Sequence, residues 1–157
     1  MLTNNGRLFL LPTGSSCNKK FRMSGGNDSS VSDSNAKSAF ANATYGGSII
    51  FGTGTTAPTK NDYVLEQPLT NSLVVSVLNR SNSGTTTAQL YSDVPSLLYV
   101  TALVTNETET DITVTEIGMN TSITSGSNDK LLLTRTVLTE PIVMESGKTY
   151  QITVAIN

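Results

Sequence analysis

The sequence predicts an all-β protein, an antiparallel β-sandwich of immunoglobulin-like or jelly-roll-like design, carrying an extended N-terminal arm. Three observations lead there. Of 157 residues, 24 are Thr, 19 Ser and 14 Asn, over a third of the chain. Thr suits a pleated strand, whereas Ser and Asn with Gly supply turns. Apolar residues recur at every second position in short runs, and Leu, Ala, Glu and Lys nowhere gather at helical spacing.

Taken in order, residues 1–47 read differently from residues 48–157, so the chain divides into an arm and a sandwich. After Leu8-Phe9-Leu10-Leu11 comes a polar stretch, Thr13 to Asn35, with few apolar side chains. Alone it could not bury enough apolar area to offset its ordering entropy. It is therefore expected to be a flexible arm or long loop, or an arm that orders against a neighbouring subunit. In the second case Leu8, Phe9, Leu10 and Phe21 are the expected interface anchors. Lys19, Lys20 and Arg22 beside Phe21 read as solvated loop charges.

Strands are expected from Ser48 onward. Ser48–Phe51 is a short apolar run ending at Gly52. Leu73, Val75 and Val77 alternate, and Leu97–Val104 is nearly continuous, as in a central strand. Ile112 and Val114 face one way, Lys130–Leu138 follows, and Tyr150, Ile152, Val154 and Ile156 share one face of the last run. Asn82-Ser83-Gly84, Asn106–Thr110, Ser125–Asn128 and Ser146-Gly147-Lys148 supply the turns. A short helix or turn is expected around Asp62–Glu66, between Pro58 and Pro68.

Composition narrows function. The chain has no His, so Ser-His-Asp and Cys-His catalysis and His-based zinc sites are excluded. Cys17 stands alone, which excludes an intrachain disulfide. Net charge is −2, giving no grip on a phosphate backbone, so no nucleic-acid partner is expected. No apolar run approaches the roughly 20 residues needed to span a bilayer, and the start lacks the basic region of a signal peptide. No enzyme, cofactor or membrane partner is expected.

Three motifs invite chemistry and are weighed against it. Gly52-Thr53-Gly54-Thr55-Thr56-Ala57 matches the G-x-G-x-x-A dinucleotide fingerprint, but Pro58 and Pro68 leave no room for the required helix. Its glycines are expected to serve a turn instead. Glu107, Glu109 and Asp111 could approach a cation, though their spacing suits a water-facing hairpin turn. Asn42-Ala43-Thr44, Asn79-Arg80-Ser81, Asn106-Glu107-Thr108 and Asn120-Thr121-Ser122 fit the N-glycosylation sequon, as an Asn/Ser/Thr-rich chain produces by chance.

Three ordered stretches resemble a recurrent domain of tailed-bacteriophage structural proteins, found in tail, tail-fibre, baseplate and other virion components. They are Ser48–Pro58 with Asp62–Glu66 and Pro68-Leu69; Thr105-Asn106 leading to Ile112–Met119; and Leu131–Leu138 with Pro141-Ile142 and Ser146–Tyr150. The resemblance implies a β-sandwich within a virion assembled in the host cytoplasm, with no catalytic residues. Its implied partners are other virion proteins, copies of itself and, for a fibre tip, a host-surface receptor. A capsid decoration or cement protein, or a module binding a host glycan or protein, are the alternatives. Within these stretches Glu116 breaks the alternation between Val114 and Ile117, which suggests a bulge or an inward-facing acid. A Glu116–Arg135 pair across neighbouring strands follows as an expectation, against two independent exposed charges.

Overall fold

The computed structural model describes residues 1–6, 18–32, 47–80, 98–122 and 130–156. Among these residues eight strands are arranged in antiparallel sheets: β1 (Asn18–Arg22), β2 (Asp28–Ser32), β3 (Ser48–Gly52), β4 (Leu73–Arg80), β5 (Leu98–Asn106), β6 (Ile112–Thr121), β7 (Leu131–Met144) and β8 (Thr149–Ile156). β1 and β2 form a hairpin; β3-β6-β7 and β4-β5-β8 form two three-stranded sheets. The sandwich-like all-β fold expected from alternation is what the chain adopts.

The core follows from that alternation. In β5, Val100, Ala102 and Val104 are fully buried. Their partners across the ladders, Val75 and Val77 on β4 and Tyr150, Ile152 and Val154 on β8, complete one inner face. The facing sheet contributes Ile49, Phe51, Ile117 and Met119. Side chains from the two inner faces interdigitate, and apolar area removed from water is the main source of stability.

β6 does not keep one alternation along its length. Ile112 and Val114 join the core, and so do Ile117 and Met119, so the pattern slips by one residue between them. The ladder to β7 shifts register at this point: Val114 opposes Ile142, but Glu116 opposes Val137. Four residues of β7, Leu138 to Pro141, therefore face Thr115 alone. Pro141 sits in this irregularity, where its missing N–H costs no ladder bond. For that reason β7 continues to Met144, beyond the Leu138 limit expected from sequence. The slip turns Thr115 and Glu116 toward the outer face of the β3-β6-β7 sheet.

That outer face is roofed by the chain itself. Residues 1–3 add to the edge of β7: the Thr3 amide donates to the Leu133 carbonyl at 3.0 Å, and the Arg135 amide to the Met1 carbonyl at 3.0 Å. Asn5 holds the β1 backbone through two bonds to Arg22, Nδ2 to the carbonyl at 2.6 Å and Oδ1 from the amide at 3.0 Å. Phe21 and Met23 are in the core cluster, and the Ser24 amide donates to the Lys130 carbonyl at 2.8 Å. Residues 1–6 and 18–24 are thus built into the sandwich, which differs from an arm beginning at residue 1 and ending at 47. Phe21 is 0% exposed within its own chain and has no surface left for a neighbouring subunit. Leu8, Phe9 and Leu10 lie outside the described residues.

Candidate functional site

The densest polar arrangement is a clasp built on Glu116 of β6 and Arg135 of β7. Glu116 is completely buried and Arg135 nearly so. A carboxylate without water needs donors at all of its lone pairs, or its desolvation is not recovered. Glu116 has them. Its Oε1 accepts from the Gln67 amide at 2.8 Å and the Gly54 amide at 3.3 Å. Its Oε2 accepts from Arg135 Nε at 2.7 Å and the Glu66 amide at 3.2 Å.

Arg135 has a partner at each of its three nitrogens. Nη1 reaches Asp62 Oδ2 at 2.9 Å; Nη2 reaches Glu66 Oε2 at 3.1 Å and the Thr56 carbonyl at 3.1 Å. Only a guanidinium offers this planar fork to three carboxylates at once, which a lysine could not replace. Burial pushes the Arg135 pKa down, but Asp62 and Glu116 outweigh it and the charged form is favoured.

The acids at the rim are positioned by short-range turns rather than by the short helix considered for Asp62–Glu66. The Thr59 amide and hydroxyl donate to Asp62 at 2.9 and 2.7 Å, and the Thr56 amide and hydroxyl donate to Glu66 at 2.8 and 2.6 Å. Partial burial pushes the Asp62 carboxyl up; the Thr59 bonds and then Arg135 outweigh it, leaving the group below its ordinary value. The Thr56 hydroxyl and amide, ahead of Arg135, hold Glu66 below its ordinary value as well.

Gly52 and Gly54 let the loop close over the carboxylate. A Cβ on Gly52 would overlap Glu116 Oε1 and lie 2.6 Å from the Gln67 carbonyl oxygen; one on Gly54 would lie 2.6 Å from Glu66 Cβ. The G-x-G of the dinucleotide-like motif therefore serves backbone approach to an internal carboxylate. Arg22 adds a further tie, its guanidinium standing 5.4 Å from the Tyr63 ring centroid.

Chemically, the clasp is arranged to hold a loop against the sheet. Every acceptor site of Glu116 is taken and its carboxylate is out of reach of solvent. A cleft of about 360 Å³ beside it is lined by Thr56, Asp62, Tyr63, Glu66 and Arg135 among others, and of these Thr56, Asp62, Glu66 and Arg135 are already bonded within the clasp. A second cleft, of about 510 Å³, lies between β3, residues 63–70 and β4; its walls include Ile50, Val64, Leu69 and Val75, with Lys130 the one charged residue.

The Glu107, Glu109 and Asp111 turn is organised from beneath by Asn106, fully buried at the end of β5. Asn106 Nδ2 donates to the carbonyls of Thr110 and Met144, both at 2.8 Å, and its Oδ1 accepts from the Thr108 amide and hydroxyl at 3.0 and 2.6 Å. Glu107 and Glu109 are exposed, while Asp111 accepts from the Ser146 amide at 2.9 Å. Among the described residues no three His, Cys, Asp or Glu side chains come together as a metal site would require. The Asn106 amide nitrogen is committed to two carbonyls inside the fold, so in the folded chain this sequon is internal.

The Glu116–Arg135 pair expected from sequence is present, and it is more than a pair. Asp62, Glu66 and the amides of Gly54, Glu66 and Gln67 were not foreseen as its partners. Among the described residues no helix is long and apolar enough to cross a membrane. No protein-family model matches the chain, and neither does any curated protein or solved structure.

Proposed function

We propose that this chain is a non-enzymatic structural subunit of a bacteriophage particle, assembling with copies of itself and with other virion proteins in the tail, fibre, baseplate or connector. One observation carries the reading. The three stretches that resemble the phage structural domain, far apart in sequence, meet in a single place. The first supplies Gly52, Gly54, Thr56, Asp62 and Glu66, the second Glu116 and the third Arg135. Residue types that look like a motif in sequence are accounted for as one fastening that locks a loop onto a sheet. A rigid polar centre of this kind suits a subunit whose work is to hold its shape in an assembly.

Purified particles from the source phage, analysed by quantitative mass spectrometry, test the reading. A few to a few dozen copies of the chain per particle are expected. Hundreds of copies would move the chain to the capsid as a decoration protein. Absence from the particles would overturn the virion assignment, and binding of the purified chain to host cells would then favour the receptor-binding alternative.

A further inference from the structure

Among the described residues the sandwich has four strand edges, and one of them is treated differently. An edge strand presents a row of unpaired N–H and C=O groups, which natural sheets cover, bulge or charge. The β7 edge is occupied by residues 1–3, and the β3 edge by residues 67–69, where the Leu69 amide donates to the Phe51 carbonyl at 2.8 Å and the Thr53 amide to the Gln67 carbonyl at 2.9 Å. The β4 edge is interrupted by a register shift between Val77 and Asn79 and ends in Arg80. β8 has none of these devices. It pairs with β5 without interruption over eight residues, and its sequence, Thr149 to Ile156, contains no charge, no Pro and no Gly.

The direction of its free groups follows from two bonds. The Asn106 amide donates to the Lys148 carbonyl at 3.1 Å and the Asn106 carbonyl accepts from the Gly147 amide at 2.8 Å, a glycine bulge that turns the residue 148 carbonyl toward β5. By antiparallel alternation Tyr150, Ile152, Val154 and Ile156 bond to β5, and Thr149, Gln151, Thr153 and Ala155 turn their N–H and C=O groups outward. Among the described residues nothing pairs with them, and Thr149, Gln151 and Ala155 are exposed. The core is open on the same flank: Ile152 and Val154 are only half-buried, whereas their β5 partners Ala102 and Val100 are 0% exposed.

We infer that the outer edge of β8 pairs, antiparallel and about a two-fold axis, with β8 of a second copy of this chain. Extended backbone is the chemistry that satisfies such an edge. A second copy fits because an isologous contact sets each residue near its own counterpart, so any charge would meet its like. β8 has no charge to repel. Full overlap places Gln151 opposite Thr153 of the second copy and Ile152 on the axis, joining two three-stranded sheets into one of six strands. This names the partner within the assembly reading above, and rests on that reading for its purpose alone.

Sedimentation velocity of the full chain tests the pairing. The wild type is expected to show a concentration-dependent dimer. The doubly substituted Gln151→Lys/Thr153→Lys and Gln151→Glu/Thr153→Glu chains should each associate on the order of a hundredfold more weakly, as like charges set side by side require. An equimolar mixture of the two should recover the dimer. Should either variant fail to fold, amide exchange of the wild type still decides, because protection at Thr149, Gln151, Thr153 and Ala155 should rise with protein concentration. A wild type that stays monomeric, or protection independent of concentration, overturns the pairing. A dimer in solution from a chain absent from particles would keep the pairing and remove the virion reading. A monomer found in particles would do the reverse.

Discussion

The two three-stranded sheets share one core, and among the described residues their outer faces differ. The β3-β6-β7 sheet is roofed by residues 52–68, pinned by the Glu116–Arg135 clasp, and its β7 edge is closed by residues 1–3. The β4-β5-β8 sheet turns outward Val74, Ser76 and Leu78 from β4, Leu103 from β5 and Gln151 and Ala155 from β8, none of them charged. Val74 is 47% and Leu78 53% exposed. The difference teaches where polar groups are worth burying. Charges concentrate where a loop must be held in one place, and are missing where another chain could lie.

The largest effect should come from breaking the roof. Arg135→Ala strips Glu116 of its counter-charge while leaving it buried, and should cost about 3–5 kcal/mol of unfolding free energy. Urea unfolding would measure it; an unchanged midpoint would show the clasp to be dispensable. Gly52→Ala forces a methyl against Glu116 and the Gln67 carbonyl, and should cost about 1–3 kcal/mol through overpacking. Thermal unfolding of that variant beside the wild type reads this, and full stability would mean that the loop sits farther from the sheet.

Acid sharpens the same contrast. Asp62 and Glu66 are held below their ordinary values of 3.8 and 4.5. As pH falls, the unfolded chain takes up their protons before the folded chain does. Their contribution is therefore fully present above about pH 5 and is lost as pH drops through the ordinary values toward the lower folded ones. Urea midpoints between neutral pH and pH 3 should fall more steeply for the wild type than for Asp62→Asn/Glu66→Gln. Parallel curves would remove the two acids from the account. Smallest of all, Val74→Thr with Leu78→Thr on the open sheet should leave stability within about 0.5 kcal/mol per substitution, as for exposed positions elsewhere. A larger loss would mean that this face is already covered within the single chain.

Much of the sandwich was legible in sequence because half-buried strands write their burial in every second residue. Leu73, Val75 and Val77 did so, as did Tyr150 through Ile156, and each became a strand on the expected face. Glu116 was legible for the opposite reason, since an acid amid Val114 and Ile117 needs a partner. Its further partners were not, because a loop that folds over a sheet uses backbone amides, and an amide has no sequence signature. The same holds for residues 1–6 and 18–24, which join the sandwich through Thr3, Asn5 and main-chain bonds and present few apolar side chains to a reader. β7 runs past the expected Leu138 to Met144 because a register shift has no sequence signature, and Pro141 placed at one leaves the strand intact.

Amide hydrogen exchange of the dilute wild-type chain, repeated on Arg135→Ala, tests the contrast between the sheets most directly. The Glu66 and Gln67 amides, bonded to Glu116, should exchange slowly in the wild type and markedly faster in the variant, while the outward amides of Thr149, Gln151 and Thr153 exchange quickly in both. Fast exchange at Glu66 and Gln67 in the wild type, or equal protection of them in both chains, would contradict a roof held shut by Glu116 and Arg135.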